Sequence, residues 1–101
     1  MAEYDIGLIG LAVMGENLIL NMERNGFKVA CYNRTTSKVE DFISGRAKSK
    51  NIKGCYSIAE LAASLKRPRK VMLMVKAGAA VDEFIEKILP VLEPGDIIID
   101  G

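Results

Sequence analysis

The stretch Ile6-Gly7-Leu8-Ile9-Gly10-Leu11-Ala12-Val13-Met14-Gly15 decides the fold. With Asp5 ahead of it, the run to Ile9 is short, continuous and apolar, as expected of a strand buried on both faces of a parallel sheet. A segment with helical spacing follows at once: Met14, Leu18 and Met22 share a face, and Gly26 stands where a helix C-cap is expected. Gly10 permits a tight turn, Ala12 is small enough for a ligand to approach the backbone, and Gly15 permits close packing of helix on strand. Gly10, Leu11, Ala12, Val13, Met14 and Gly15 therefore read as a dinucleotide-binding turn with alanine at its second glycine. The helix would present free N–H groups and a positive dipole end to phosphate. A P-loop is excluded, because no Gly-Lys-Ser/Thr follows.

The same alternation continues outward from this turn. Apolar runs at Lys28 to Tyr32, Val71 to Val75 and Ile97 to Ile99 read as further buried strands, with a weaker one around Cys55 and Tyr56. Between them, Val39, Phe42 and Ile43 have helical spacing behind a capping-box pair, Ser37 and Glu40. Ser57 and Glu60 form a second such pair ahead of Ile58, Leu61, Ala62 and Leu65, and Pro68 marks a break. The strongest stripe is Val81, Phe84, Ile85, Ile88, Leu89 and Leu92, closed by the turn Glu93-Pro94-Gly95-Asp96. The order βαβαβαβαβ predicts an α/β fold of Rossmann type, a doubly wound, mostly parallel sheet with right-handed crossovers. A complete sheet of this type has six strands, so the pattern reads as one domain, residues 1–101, truncated after the fifth strand.

Composition narrows the function classes. Half of the 101 residues are hydrophobic, and 14 Lys and Arg face 13 Asp and Glu for a net charge of +1. This balance argues against a surface that binds nucleic acid by neutralising phosphates, so anion recognition has to be local. The apolar run at the N-terminus is far shorter than the roughly 20 residues of a membrane span and has no basic flank. There is no histidine, and Cys31 and Cys55 lack metal-ligand spacing, which excludes a zinc site or Cys-His catalysis. Cysteines within apolar segments are expected to be reduced and buried, as in a cytoplasmic protein.

In a parallel sheet, residues that follow strands are the ones placed to bind ligands. About 20 residues beyond the turn, NAD-binding domains carry Asp or Glu for the ribose 2′-OH. Here that place holds Asn33, followed by Arg34, Thr35 and Thr36. Without the carboxylate, a 2′-phosphate meets no repulsion, and Arg34 supplies a forked cationic donor while Asn33 and the hydroxyls add neutral ones. The expected cofactor is NADP. Two richer basic clusters, Arg46, Lys48, Lys50 and Lys53, and Lys66, Arg67, Arg69 and Lys70, precede strands and are expected as solvated faces on the opposite edge. After the fourth strand, Lys76 and Ala77 lead into Gly78 and Ala79, and a dinucleotide could lie close to the backbone of these small residues.

These segments together, with Met74-Val75-Lys76-Ala77-Gly78 and Asp96-Ile97-Ile98-Ile99-Asp100-Gly101, resemble the N-terminal domain of the 6-phosphogluconate dehydrogenase (decarboxylating) family over the whole chain. The resemblance implies a homodimeric enzyme of the pentose phosphate pathway that oxidises 6-phosphogluconate with NADP+ to ribulose 5-phosphate and CO2. It also implies NADP contacts from residues 10 to 15, 33 to 35 and 75 to 77. The family's catalytic lysine and glutamate belong to later sequence, so this chain by itself is expected to be inactive. The alternatives are another NADP-dependent β-hydroxyacid dehydrogenase and a non-catalytic NADP-binding module.

Overall fold

The computed structural model describes residues 3–74 and 79–100. Five short strands, β1 (Ile6–Ile9), β2 (Val29–Tyr32), β3 (Ile52–Cys55), β4 (Lys70–Leu73) and β5 (Ile97–Asp100), alternate with four helices, α1 (Val13–Arg24), α2 (Thr36–Ser44), α3 (Ile58–Ser64) and α4 (Ala79–Ile88). A single 3-10 turn, Leu89–Val91, follows α4. The strands form one parallel sheet in the order β3-β2-β1-β4-β5, with Ile6 opposite Val29 and Gly7 opposite Val71. This is the doubly wound α/β architecture that the alternation predicts.

Two apolar layers sandwich the sheet, because successive side chains of each strand point to opposite faces. On one face Leu8, Val29, Cys31 and Ile52 pack with Leu11 and Ile19 of the α1 side and Val39 and Phe42 of α2. On the other, Ile9, Ala30, Cys55, Val71 and Leu73 pack with Leu61 of α3, Leu65, and Phe84 and Ile88 of α4. Both cysteines are buried free thiols, and burial pushes Cys31 up to about 12.

Several expectations shift by a residue or a face. The buried line of α1 runs through Leu11, Gly15 and Ile19, whereas Leu18 and Met22 are half-buried and Met14 is exposed. Gly26, at φ 97, follows the C-cap Asn25, and the Phe27 N–H reaches back to Met22 O at 3.1 Å. Ser57 caps α3 as expected, accepting from Glu60 N–H at 3.0 Å, while the Glu60 carboxylate accepts from Tyr56 N–H at 2.9 Å. The pair Ser37 and Glu40 does not cap α2: the cap is Thr35, two residues earlier, and Ser37 lies inside the helix. Leu89 leaves the α4 stripe and is exposed, since Pro90 has no N–H for an α-helical bond and the chain tightens into the 3-10 turn. The third strand begins at Ile52, earlier than its apolar signal at Cys55 and Tyr56, because Lys53 and Gly54 interrupt the hydrophobic run of this edge strand.

The amino edge is tied by ion pairs and is not merely solvated. Arg69 donates to Ala62 O at 2.8 Å and lies 3.4 Å from Glu93 and 3.5 Å from Asp96. Arg67 pairs with Glu93, and Lys66 approaches Asp5 at 3.3 Å. Asp5 itself clamps the entrances of β1 and β2: its N–H donates to Lys28 O and its Oδ2 accepts from Lys28 N–H, both at 2.8 Å. The Lys28 hydrogen bond, followed at lower weight by the Lys66 ammonium, outweighs desolvation and holds the Asp5 carboxyl below its ordinary 3.8. A carboxyl whose pKa is lower in the folded chain contributes stability that is present above its unfolded value and is lost as pH falls through its folded value. Asp5→Ala should therefore cost about 1 kcal/mol at neutral pH. Thermal unfolding of both proteins should show a gap that narrows as pH drops below 3.8; a gap independent of pH would assign the loss to packing instead.

Candidate functional site

Strand order reverses at β1, with β2 and β3 on one side and β4 and β5 on the other. In such sheets ligands lie beyond the carboxyl ends of the strands at the point of reversal. The chain leaves the sheet there at Gly10, whose N–H still donates to Tyr32 O at 2.9 Å and whose φ of 115° suits glycine. A Cβ on Gly15 would stand 2.1 Å from Gly10 O, so only glycine lets α1 start this close to the strand it follows. Ala12 is the N-cap of α1 and makes no side-chain cap bond. The first-turn N–H groups thus have no side-chain acceptor and face the crevice, the arrangement that takes phosphate oxygens. Leu11 is buried beneath the turn, while Val13 and Met14 are 71% and 73% exposed at its mouth.

Asn33, expected as a neutral phosphate donor, is engaged with the protein's own backbone. Its Oδ1 accepts from Leu11 N–H at 2.8 Å, and its Nδ2 donates to Thr35 O at 3.1 Å. The side chain spans the end of β2 and the turn after β1, fixing one against the other. Thr35 caps α2 through its backbone, without a side-chain bond, which leaves its hydroxyl uncommitted to capping.

Arg34, next in the chain, reaches across the crevice. Its Nη2 pairs with Glu83 Oε1 of α4, and its guanidinium lies 5.3 Å from the centre of the Phe84 ring. Lys87 approaches the same ring at 5.8 Å and Glu83 at 3.3 Å. Tyr32 meets Phe84 edge-on at 6.4 Å.

A cleft of about 370 Å³ opens beside the turn, lined by Leu11, Ala12, Val13, Glu16, Lys38 and Asp41. Lys38 escaped the sequence reading; its position one helical turn beyond Thr35 was the available signal. Glu16 would put negative charge beside an anion site, but Arg46 takes its carboxylate at 2.9 Å and Asn17 Oδ1 at 2.6 Å. Arg46 therefore serves the first turn of α1, contrary to the expectation of a solvated residue on the amino edge. A second pocket, of about 340 Å³, lies at that amino edge among Asp5, Phe27, Lys66 and Pro68 and is remote from the turn. The expected contacts Val75, Lys76 and Ala77 lie outside the described residues. Among the described residues no helix is long and apolar enough to cross a membrane, and no group of three His, Cys, Asp or Glu could hold a metal.

Comparison with known proteins agrees with this geometry. The chain is 69% identical over 100 residues to a protein of Cunninghamella elegans named 6-phosphogluconate dehydrogenase, decarboxylating, covering 99% of this chain and 21% of that one. The human protein of the same name is 58% identical over 101 residues, covering 100% of this chain and 21% of its own. The chain thus spans about a fifth of the length of these relatives. Among solved structures, Plasmodium falciparum 6-phosphogluconate dehydrogenase superposes with a TM-score of 0.86 at 52% identity, over 96% of this chain and 21% of that one. That enzyme was solved in its apo form, with its cofactor NADP+ and with its substrate 6-phosphogluconate. An Aspergillus terreus imine reductase, at 17% identity and a TM-score of 0.73 over 99% of this chain and 32% of its own, shares the fold. Residues 5–101 match the family described as the NAD binding domain of 6-phosphogluconate dehydrogenase, and the chain belongs to that family.

Proposed function

We propose that residues 1–101 form the NADP-binding unit of a decarboxylating 6-phosphogluconate dehydrogenase, a homodimeric cytoplasmic enzyme in its full form. The observation that carries the cofactor choice is the end of β2. Where a carboxylate would hold a ribose 2′-OH, this chain has Asn33, engaged with the turn, and then Arg34. The likeness to the Plasmodium falciparum enzyme, solved with NADP+ and with 6-phosphogluconate, supports cofactor and substrate alike. The buried free thiols suit a reducing compartment.

The residues present fit the cofactor. The uncapped first turn of α1 offers N–H groups to a pyrophosphate, and Ala12 and Gly15 keep the backbone accessible. Arg34, Thr35 and Lys38 bring two cations and a hydroxyl to the 2′-phosphate, and Val75, Lys76 and Ala77, which follow β4 in the sequence, are the further contacts that the family resemblance implies. When bound, NADP+ accepts the hydride removed from 6-phosphogluconate, which then loses CO2 to give ribulose 5-phosphate. This chain's share is to bind and orient; proton transfer falls to residues in the rest of the enzyme.

Two substitutions separate the roles. A charge-assisted hydrogen bond contributes on the order of 1.5 to 3 kcal/mol, so Arg34→Ala should weaken NADP+ binding roughly ten- to a hundredfold in calorimetric titration. NAD+ should change much less, and equal losses for both would remove Arg34 from the 2′-phosphate. Asn33→Ala releases Leu11 N–H and loosens the turn shared by both cofactors, so NADP+ and NAD+ should weaken alike, by roughly two- to tenfold. A loss confined to NADP+ would mean that Asn33 itself faces the phosphate.

A further inference from the structure

Arg34 and Glu83 stand on opposite sides of the switch point. Arg34 belongs to the connection after β2, and Glu83 to α4, after β4, while β1 runs between these two strands. Their ion pair therefore spans the crevice in which sheets of this kind hold a dinucleotide. Both side chains are about half exposed, at 57% and 44%, so the pair is open to exchange with a solute anion. Phe84 supplies a surface on which the guanidinium rests, and Lys87, bound to the same carboxylate, keeps Glu83 at that rim. The sequence carries Glu83 on the polar face of an amphipathic helix, 49 residues from its partner, with nothing to mark it as more than a solvated charge.

We propose that Glu83 is an internal competitor for the 2′-phosphate: its carboxylate occupies Arg34 in the cofactor-free protein, and NADP must displace it. The inference rests on the reading that Arg34 meets the 2′-phosphate. The Nη2 group that meets Glu83 belongs to both forks of the guanidinium, with Nη1 and with Nε, so a phosphate gripped in a bidentate manner competes with the carboxylate for it. NAD carries no group that contests these donors. Glu83 thus lowers NADP affinity selectively and sets how far the cofactor preference extends. Exposed pairs of this kind are weak, which fits a device that moderates binding and leaves the site able to open.

Glu83→Gln keeps the size of the side chain and removes its charge. Calorimetric titration should show NADP+ binding tightened about two- to fivefold, with NAD+ changed by less than about twofold. Glu86→Gln, an exposed residue on the same helix, makes the same change in net charge away from Arg34 and should leave the ratio of the two affinities unaltered. In an Arg34→Ala background, Glu83→Gln should lose its effect on NADP+, because the contested donor is gone. Unchanged or weaker NADP+ binding in Glu83→Gln, equal tightening of both cofactors, or an effect that persists without Arg34 would each overturn the proposal. If Arg34→Ala alone weakens both cofactors equally, the underlying assignment of the 2′-phosphate fails. If Arg34→Ala is selective and Glu83→Gln does not tighten NADP+, only the competitor role fails.

Discussion

The approach of the first turn of α1 to Gly10, where a Cβ at residue 15 would come within 2.1 Å of the Gly10 carbonyl oxygen, sets the position of everything else in the site. A helix that starts this close to its strand presents its N-terminal N–H groups at the carboxyl edge of β1, where strand order reverses. It also carries Leu11 into the core and Ile19 down onto β1 and β2, so the contact that shapes the ligand crevice anchors one of the two apolar layers. An alanine at this position would force the helix outward. Binding geometry and core packing are therefore one constraint on this turn, not two.

The hydrogen bond from Leu11 N–H to Asn33 Oδ1 extends that constraint to β2. On the proposed reading, phosphates of one cofactor meet two elements: the turn after β1 and the connection after β2. Their separation has to be held before the ligand arrives, because ordering them on binding would cost affinity. Asparagine suits the place, with an acceptor for the turn and a donor for Thr35 O. Aspartate could accept from Leu11 but would set a second oxygen against the Thr35 carbonyl. Asn33 thus combines the absence of a ribose-binding carboxylate with a structural task, and the residue type suits both.

Most of the fold was legible because its signals are local. Four apolar runs, the spaced glycines at 10 and 15, and the Ser57 and Glu60 cap each act over a few residues, and the parallel sheet follows from their alternation. Legibility failed where a distant partner or neighbouring geometry decides the outcome. The Ser37 and Glu40 pair has the right spacing for a capping box, yet α2 begins earlier because the Asn33 network fixes the chain up to Thr35. Met14 has the spacing of the α1 stripe but is exposed at the mouth of the turn. At the carboxyl edge, the small residues of the turn and Arg34 stand out in the sequence by their position after a strand. The tie of Asn33 to Leu11, the reach of Arg46 to Glu16 and the pairing of Arg34 with Glu83 are long-range contacts between polar side chains, for which sequence spacing carries no signal.

Charge placement explains how a protein of net charge +1 can build a site for a polyanion. At the amino edge Arg67 and Arg69 are paired with Glu93, and Lys66 with Asp5, so three of the four cations of a dense basic cluster join loops to strands. At the carboxyl edge the acids nearest the turn are handled one at a time. Arg46 neutralises Glu16 beside the helix N-terminus, and Glu83 is held at the rim by Arg34 and Lys87. On the proposed reading, the field that a phosphate meets is made by the α1 N-terminus and a few cations over a short range, where salt screens little. A charge balance near zero is compatible with tight local recognition because the fold sorts its cations between structural pairs and the ligand edge.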